Sequence, residues 1–369
     1  MKAITAELKS DIEDAAAAGL LSSLPPAVAE KDIHITDALI ALSKIRIAHI
    51  AHRQERRKGD TRPARVALKS QLVFAGGTCL SKAHGLIERM SEDIDIKVLL
   101  ENAPDGYALP KGHSTRKRLG DIQTELEERL TRVGFVFTKI EDKNNPFSND
   151  NRRYYRLAVE YGPQFKDVSG VLRPELKVEL IHRPPKLPVE ALDMGYLLDR
   201  FIPRDTPVRF QMLAISVAET LAEKVLSLLR RCAWKWDGHQ RGDSDPALVR
   251  HVYDVWRIHT ARPEAIEPAR AVFAALVVKD VEEFKGQHPG FDTKPYAVLS
   301  NALDRARSDE GLRRDFSQRL LPLLFAKEKP VFETCFASFA AIAEHFLTTA
   351  SVTKSGWHPP PPCLPDNKD

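Results

Sequence analysis

Two aspartates separated by one isoleucine, Asp93 and Asp95 in "SEDIDIKV", are the side chains of this sequence best placed for chemistry. On an extended strand, residues two apart project from the same side. Two carboxylates held that close repel unless a cation lies between them. A hard divalent ion with oxygen ligands, Mg²⁺ above all, suits the pair. Just upstream, "FAGGTCLSKAHGLIERM" sets Gly76 and Gly77 where a strand should give way to a helix. There the backbone can approach a ligand closely and free N–H groups can meet an anion such as phosphate. Thr78 adds a hydroxyl donor. The GK[ST] ending of a P-loop is missing, so this is a different phosphate turn. Taken singly, the glycines are a tight turn and the acids a solvated strand edge. Together they point to metal-assisted phosphoryl chemistry.

A third acid follows in "LRPELKVELIHR". Leu176, Val178 and Leu180 alternate toward a core, while Lys177 and Glu179 face the other way. Glu179 can therefore complete a triad with Asp93 and Asp95 across neighbouring strands; Glu175, beside Pro174 at the strand entry, is its rival. Three carboxylates can hold two metal ions, one activating an attacking hydroxyl and both stabilising charge on phosphorus and on leaving pyrophosphate. On the helix expected after the glycines, Leu80, Ala83, Ile87 and Met90 form the packed stripe, and Lys82 and Arg89 share another face. Lys82 and Arg89 join Gly76, Gly77 and Thr78 as candidate nucleotide contacts. Arg89 can equally meet the metal-site carboxylates or lie exposed.

These residues need strands to align them and helices to cover them. The pattern predicts an α+β fold: a mixed sheet flanked by helices, with a helical segment before it and a helical domain after it. Residues 1–65 read as an N-terminal helical segment. Its clearest piece is "HITDALIALSKIRIAHIAHRQERRKG", capped at Thr36 or Asp37 and stopped by Gly59. Residues 66–204 read as the sheet domain, with strands in "QLVFAGG", "DIDIKVLL", "GFVFTKI", "RRYYRLAVEY" and "PELKVELI" and a helix in "RLGDIQTELEERLTRVG". Residues 205–350 read as helical, starting with "FQMLAISVAETLAEKVLSLLRR", and the Pro-rich 351–369 as a disordered tail.

Composition narrows the class. At 369 residues with 43% hydrophobic and 29% charged residues, the chain is long enough for two or three packed domains. The formal charge of +4 is too small to announce a nucleic-acid binder by itself. Cys79, Cys232, Cys335 and Cys363 lie far apart without a CxxC pair, which argues against a zinc site and fits a reducing compartment. No run approaches a membrane span, and the N-terminus carries acids too early for a secretory signal. The expected location is cytoplasmic, with no membrane partner.

The glycine-plus-hydroxyl turn, short helix, Asp-x-Asp strand and later acid resemble the DNA polymerase β-like nucleotidyltransferase superfamily. More narrowly, "LVFAGGTCLSKAHGLIERMSEDIDIKV" resembles the AbiEii/AbiGii toxin family, which reads approximately GGT-x-L-x-K followed by R-x-SEDID. The likeness extends to "VAEKDIHITDALIAL", "VLRPELKVEL", "LAEKVLSLLRR" and "RHVYDVWRI", roughly residues 28–260. It implies a nucleotidyltransferase fold with a helical partner domain, two Mg²⁺ ions and a nucleoside triphosphate (NTP) substrate. It also implies a toxin paired with a cognate antitoxin, or a phage-defence role, and an RNA acceptor such as a tRNA 3′ end. By motif, Gly77 and Thr78 take the phosphate turn and Asp93 and Asp95 the metal. Lys224 and Asp254 match a downstream lysine and aspartate, although the inserted "CAWKWDGHQRGDSDPA" separates them by 30 residues.

Read physically, Leu213, Val217, Leu221, Val225 and Leu228 make a packed stripe, beside a polar one of Thr220, Lys224, Ser227 and Arg231. Lys224 and Arg231 over a cleft would neutralise triphosphate, Lys224 as a point charge; the bland alternative pairs Lys224 with Thr220 or Glu223 in solvent. Asp254, one turn from both Arg250 and Arg257, is either a salt-bridged helix residue or a catalytic acid–base group. Basic clusters at Arg53–Arg65, "KGHSTRKR" and "NRRYYR" can bind an RNA backbone, with at most one of Tyr154 and Tyr155 stacking on a base. His84 and His251 receive no role. The reading is a Mg²⁺-dependent nucleotidyltransferase toxin. Its alternatives are a nucleotidyltransferase acting on a protein or small molecule, or a nucleotide-binding module without catalysis.

Overall fold

In the computed structural model, Pro25 and Pro26 start the long second helix. Proline's missing N–H costs nothing there, because the first helical N–H groups have no partner in any case. The structure describes residues 1–55, 61–139, 148–149, 152–168, 170, 172–240 and 245–352. The chain divides into two units, Met1–Thr220 with Leu321–Lys329, and Leu221–Leu320 with Pro330–Asp369.

In the first unit, α1 (Ala6–Ala17) and α2 (Pro26–Ser43) precede β1 (Ala48–Arg53), β2 (Arg65–Ala75), α3 (Gly76–Lys82) and β3 (Asp93–Leu100). β4 (Tyr107–Ala108), α4 (Thr115–Arg132), β5 (Val136–Lys139), β6 (Ser148–Asn149) and β7 (Tyr154–Glu160) follow. β8 (Glu175–Ile181), β9 (Glu190–Met194) and β10 (Phe210–Ala214) complete it. The mixed sheet runs β4-β1-β2-β3-β8-β7-β5. β2 is long enough to serve two neighbours on one edge: Arg65–Lys69 pair with β1, and Val73–Phe74 pair in parallel with β10. This is an α+β architecture.

One face of the sheet is the core. Ile94, Ile96 and Val98 of β3, Leu176, Val178 and Leu180 of β8 and Tyr155, Leu157 and Val159 of β7 are all buried with Ile122, Leu126 and Leu130 of α4. The N-terminal helices belong to the same core through Leu8, Ile12, Ile33, Leu39 and Leu42. Helices α1 and α2 thus pack on the sheet, and β1, which follows them, is one of its strands.

The helix expected through Gly59 stops at Ser43, because Ala48–Arg53 is captured as β1 by pairing with β2. Its cap is Pro25 rather than Thr36 or Asp37, and Thr36 instead bonds back to the Asp32 carbonyl inside the helix. The helix expected from Gly76 to Met90 ends at Lys82, and Gly85 adopts φ +64° soon after. Gln211–Ala214, expected to be helical, is strand β10, and the helix α5 (Val217–Trp236) begins after Ser216, whose Oγ accepts the Glu219 N–H. Propensity yields to strand pairing in both cases.

The second unit is helical: the rest of α5, then α6 (Arg250–Ala261), α7 (Ile266–Glu283), α8 (Pro289–Thr293), α9 (Pro295–Ala306), α10 (Glu310–Asp315) and α11 (Phe332–Val352). α11 packs on α6, α7 and α9. Of the expected tail, residues 351 and 352 end α11, and the remainder lies outside the described residues, as do Arg56, Arg57 and Lys58.

Candidate nucleotide and metal site

β3 lies between β2 and β8, antiparallel to the first and parallel to the second. Register then decides what each carboxylate meets. Asp95 is the Cα partner of Ala75 on β2 and of Glu179 on β8, and Asp93 is the partner of Lys177. Partners in register share a face. Asp93, Asp95 and Glu179 therefore lie on the side of the sheet opposite the buried Ile94, Ile96 and Val178. Glu175 has the same parity but sits two strand repeats before Glu179, opposite Glu160 of β7, so register favours Glu179.

The glycine turn closes on this face. Gly76 has φ +75°, and a Cβ there would overlap the Asp95 carboxylate. Only glycine permits both the backbone conformation and the contact. At Gly77 a Cβ would come within 2.7 Å of the Arg89 guanidinium and 2.9 Å of Ser91 Oγ. Thr78 is buried; its hydroxyl contacts Ser91 Oγ at 2.9 Å and donates to the Asp93 carbonyl. The expected phosphate-gripping hydroxyl is thus used to tie the turn to the start of β3.

Cationic and phenolic groups surround the acids. Arg173 Nη1 is 2.7 Å from Asp93 Oδ1, and Lys177 Nζ is 2.5 Å from Glu179 Oε1. Tyr154 donates to Glu179 Oε1 at 2.7 Å, and Arg156, opposite Glu179 on β7, has its guanidinium 5.6 Å from the Tyr154 ring centre. Burial alone would lower the Lys177 pKa, but Glu179, Asp93 and Asp95 outweigh it and hold the ammonium above its usual value. Among the described residues no three His, Cys, Asp or Glu side chains stand together as a ready metal cluster. Two of the three carboxylates are instead engaged by side-chain cations.

Two expected nucleotide contacts are structural. Lys82 is buried and bonds Asp32 at 2.8 Å, Thr36 at 2.7 Å and the Gly195 carbonyl at 2.9 Å. All three of its ammonium donors are used to bind α3 to α2 and the segment after β9. Arg89 is 2% exposed, donates to the Met90 carbonyl and bridges Leu324 through its backbone, so it supports Gly77 from inside.

No local pattern marks the support beneath Asp93. Lys31 and Glu92 form a fully buried pair at 2.5 Å. Glu92 also accepts the Arg173 N–H at 2.7 Å, and Lys31 donates to the Arg173 carbonyl. Lys97, next on the acid face after Asp95, is buried against Glu219 at 3.1 Å, and Glu219 also accepts the Lys186 and Leu187 N–H groups. Strand alternation placed Lys97 and Lys177 on this face; nothing local marked Arg173 or Lys31.

In the helical unit the inserted segment does not separate Lys224 from Asp254. Their side chains meet at 2.6 Å, both buried. The solvent pairing of Lys224 is excluded. Arg231 leaves the polar stripe for Asp245, at 2.7 Å. Among the basic clusters, Arg65, Lys111, Arg116 and Lys117 are exposed, as is Lys69 outside them, whereas Arg118 is buried with its guanidinium on the Glu101 carbonyl. Tyr155 points to the core and donates to Glu127. A cleft of about 300 Å³ lined by Ala16, Gly19 and Leu21 to Pro26 touches none of the site residues.

Residues 62–338 match the family described as "Nucleotidyl transferase AbiEii toxin, Type IV TA system". A solved H. pylori protein assigned as a nucleotidyltransferase is 16% identical, covering 78% of this chain and 90% of that one, at a TM-score of 0.31, too loose a superposition to define a shared fold. A search of curated proteins gives no match.

Proposed function

Because this chain belongs to the AbiEii nucleotidyltransferase toxin family, we propose that it transfers a nucleoside monophosphate from an NTP to the 3′ end of an RNA, with tRNA as the acceptor and Mg²⁺ as the metal. The observation that carries the chemistry is the alignment of Glu179 with Asp95, on the face that Asp93 shares and beside a glycine turn closed on Asp95.

The donors suit a hard divalent ion in kind and placement: carboxylate oxygens only, on two adjacent parallel strands. Asp93 and Asp95 would hold it, with Glu179 as the third donor, oriented by Tyr154. Mg²⁺ bound there would stabilise charge at the phosphorus and acidify the attacking hydroxyl. The remaining work belongs to the protein. Gly76 and Gly77 let the triphosphate reach the strand end without side-chain interference. Arg173 and Lys177 supply positive charge for it. Thr78 and Ser91 fix where β3 begins, and therefore where Asp93 points. Lys224 and Asp254 act as one unit, Asp254 holding the ammonium in place.

RNA is favoured as the acceptor by exposed cations from β2 to α4, Arg65, Lys69, Lys111, Arg116 and Lys117, which suit a phosphate backbone. A toxin family of a type IV system implies an antitoxin partner; action in the cytoplasm on cellular RNA is part of this proposal. Among the described residues no helix is long and apolar enough to cross a membrane.

The test is incubation with Mg²⁺, each labelled NTP in turn, and total cellular RNA and protein. Label in RNA that disappears in Asp93→Ala/Asp95→Ala supports the proposal. Label in polypeptide changes the acceptor, and equal labelling by the double variant rejects the site.

A further inference from the structure

Arg173 combines a fixed main chain with a half-exposed head paired to Asp93. Its N–H is held by Glu92 and its carbonyl by Lys31, from a pair buried to 1% exposure or less. Its side chain is 36% exposed and ends on Asp93. Lys177 is built alike: its backbone is locked in β8, opposite Asp93, while its ammonium reaches along the strand to Glu179 with a side chain 28% exposed. Two of the three proposed metal donors are therefore already neutralised by cations on short, anchored tethers. Such heads can turn without disturbing the sheet. A divalent ion arriving alone must displace both cations from their carboxylates and sit beside them, which like-charge repulsion opposes. A triphosphate arriving with the ion offers those cations a new anionic partner.

Resting on the nucleotidyltransferase reading of this site, we infer that Arg173 and Lys177 are internal counter-cations that couple metal binding to triphosphate binding. They hold Asp93 and Glu179 until a nucleotide draws them away. The free protein binds a divalent ion weakly, and the metal and NTP enter as a linked pair. By reciprocity the metal strengthens triphosphate binding by the same factor.

The experiment measures Mn²⁺ binding to the full chain by electron paramagnetic resonance, with and without a non-hydrolysable NTP analogue. The analogue is expected to tighten Mn²⁺ binding to the wild type by about tenfold or more beyond Mn²⁺ binding to the analogue alone. Arg173→Gln/Lys177→Gln should bind Mn²⁺ without nucleotide about tenfold tighter than wild type and lose most of the coupling. Arg173→Lys, which keeps the charge, should keep weak metal binding. Because misfolding removes metal affinity, a gain in the Gln variant cannot come from unfolding. Unchanged or weaker nucleotide-free Mn²⁺ affinity in the Gln variant, with wild-type melting behaviour, overturns the inference while leaving the metal site intact. If Asp93→Ala/Asp95→Ala binds Mn²⁺ like wild type in the presence of the analogue, the underlying site assignment fails instead.

Discussion

Asp95 and Glu179 are Cα partners on adjacent parallel strands, and the carboxylate of Asp95 lies against the bare Cα of Gly76. Three segments distant in sequence thus meet at one oxygen-rich point. Asp95→Asn should keep the fold and lower nucleotide transfer by about a thousandfold or more, as expected when a metal-binding charge is removed. Glu179→Gln, a neutral group still reachable by Tyr154, should lower it less. Initial rates of label transfer, with circular dichroism as the fold control, rank the two.

Gly76→Ala tests the close approach directly. A Cβ would collide with Asp95 and strain a backbone at φ +75°. The expected cost is about 1–2 kcal/mol of stability from the conformation alone, with Asp95 displaced and transfer strongly reduced. Urea unfolding and label transfer measure the two effects separately.

Lys31 and Glu92 show how a buried ion pair serves the site from below. Lys31→Met leaves Glu92 charged and buried, so a loss of about 3–5 kcal/mol is expected. Lys31→Met/Glu92→Gln removes both charges and should recover part of it. Both variants free the Arg173 main chain. Chemical denaturation of the single and double variants yields the coupling.

The same logic applies to Lys224 and Asp254. Asp254→Asn removes the charge facing the buried ammonium, and Lys224→Met removes the cation facing a buried carboxylate. Each should destabilise the helical unit by about 3–5 kcal/mol, and Lys224→Met/Asp254→Asn by less than the two single effects added. Thermal unfolding of the four proteins checks the non-additivity.

His34 makes stability fall in acid. It is fully buried on α2 against Tyr161, with neither ring nitrogen hydrogen-bonded among the described residues, and burial lowers its pKa to about 4 from 6.5. The unfolded chain takes up this proton first as pH falls, so the folded state loses stability between pH 6.5 and about 4, by about 3 kcal/mol in all. Nearby Glu30 opposes the trend: burial raises its carboxyl pKa despite the Gln164 and Phe165 N–H groups, so its folded form gains a proton early. The difference in unfolding free energy between wild type and His34→Phe, followed across that range, isolates the histidine. A flat difference refutes the assignment.

The alternation of "DIDIKVLL" and "ELKVELI" was enough to put Asp93, Asp95, Lys97, Lys177 and Glu179 on one side of a sheet, because strand parity is local. The glycine pair was likewise legible as a close-approach turn. Lys82, Arg89 and Thr78 were read as ligand contacts because polar groups near a turn look exposed in one dimension. Their partners, Asp32, Gly195, Leu324 and Ser91, come from elsewhere in the fold. The ends of helices were also beyond local reading: Ala48–Arg53 and Gln211–Ala214 became strands because β2 offered them hydrogen bonds.

The sequence by itself determined the chemistry available, which is a set of carboxylates beside a glycine turn, since residue type and period two suffice for that. Tertiary structure alone decided which carboxylates align, which cations neutralise them and which basic residues are spent on packing. Strand register and buried ion pairing bring together groups that no local pattern connects.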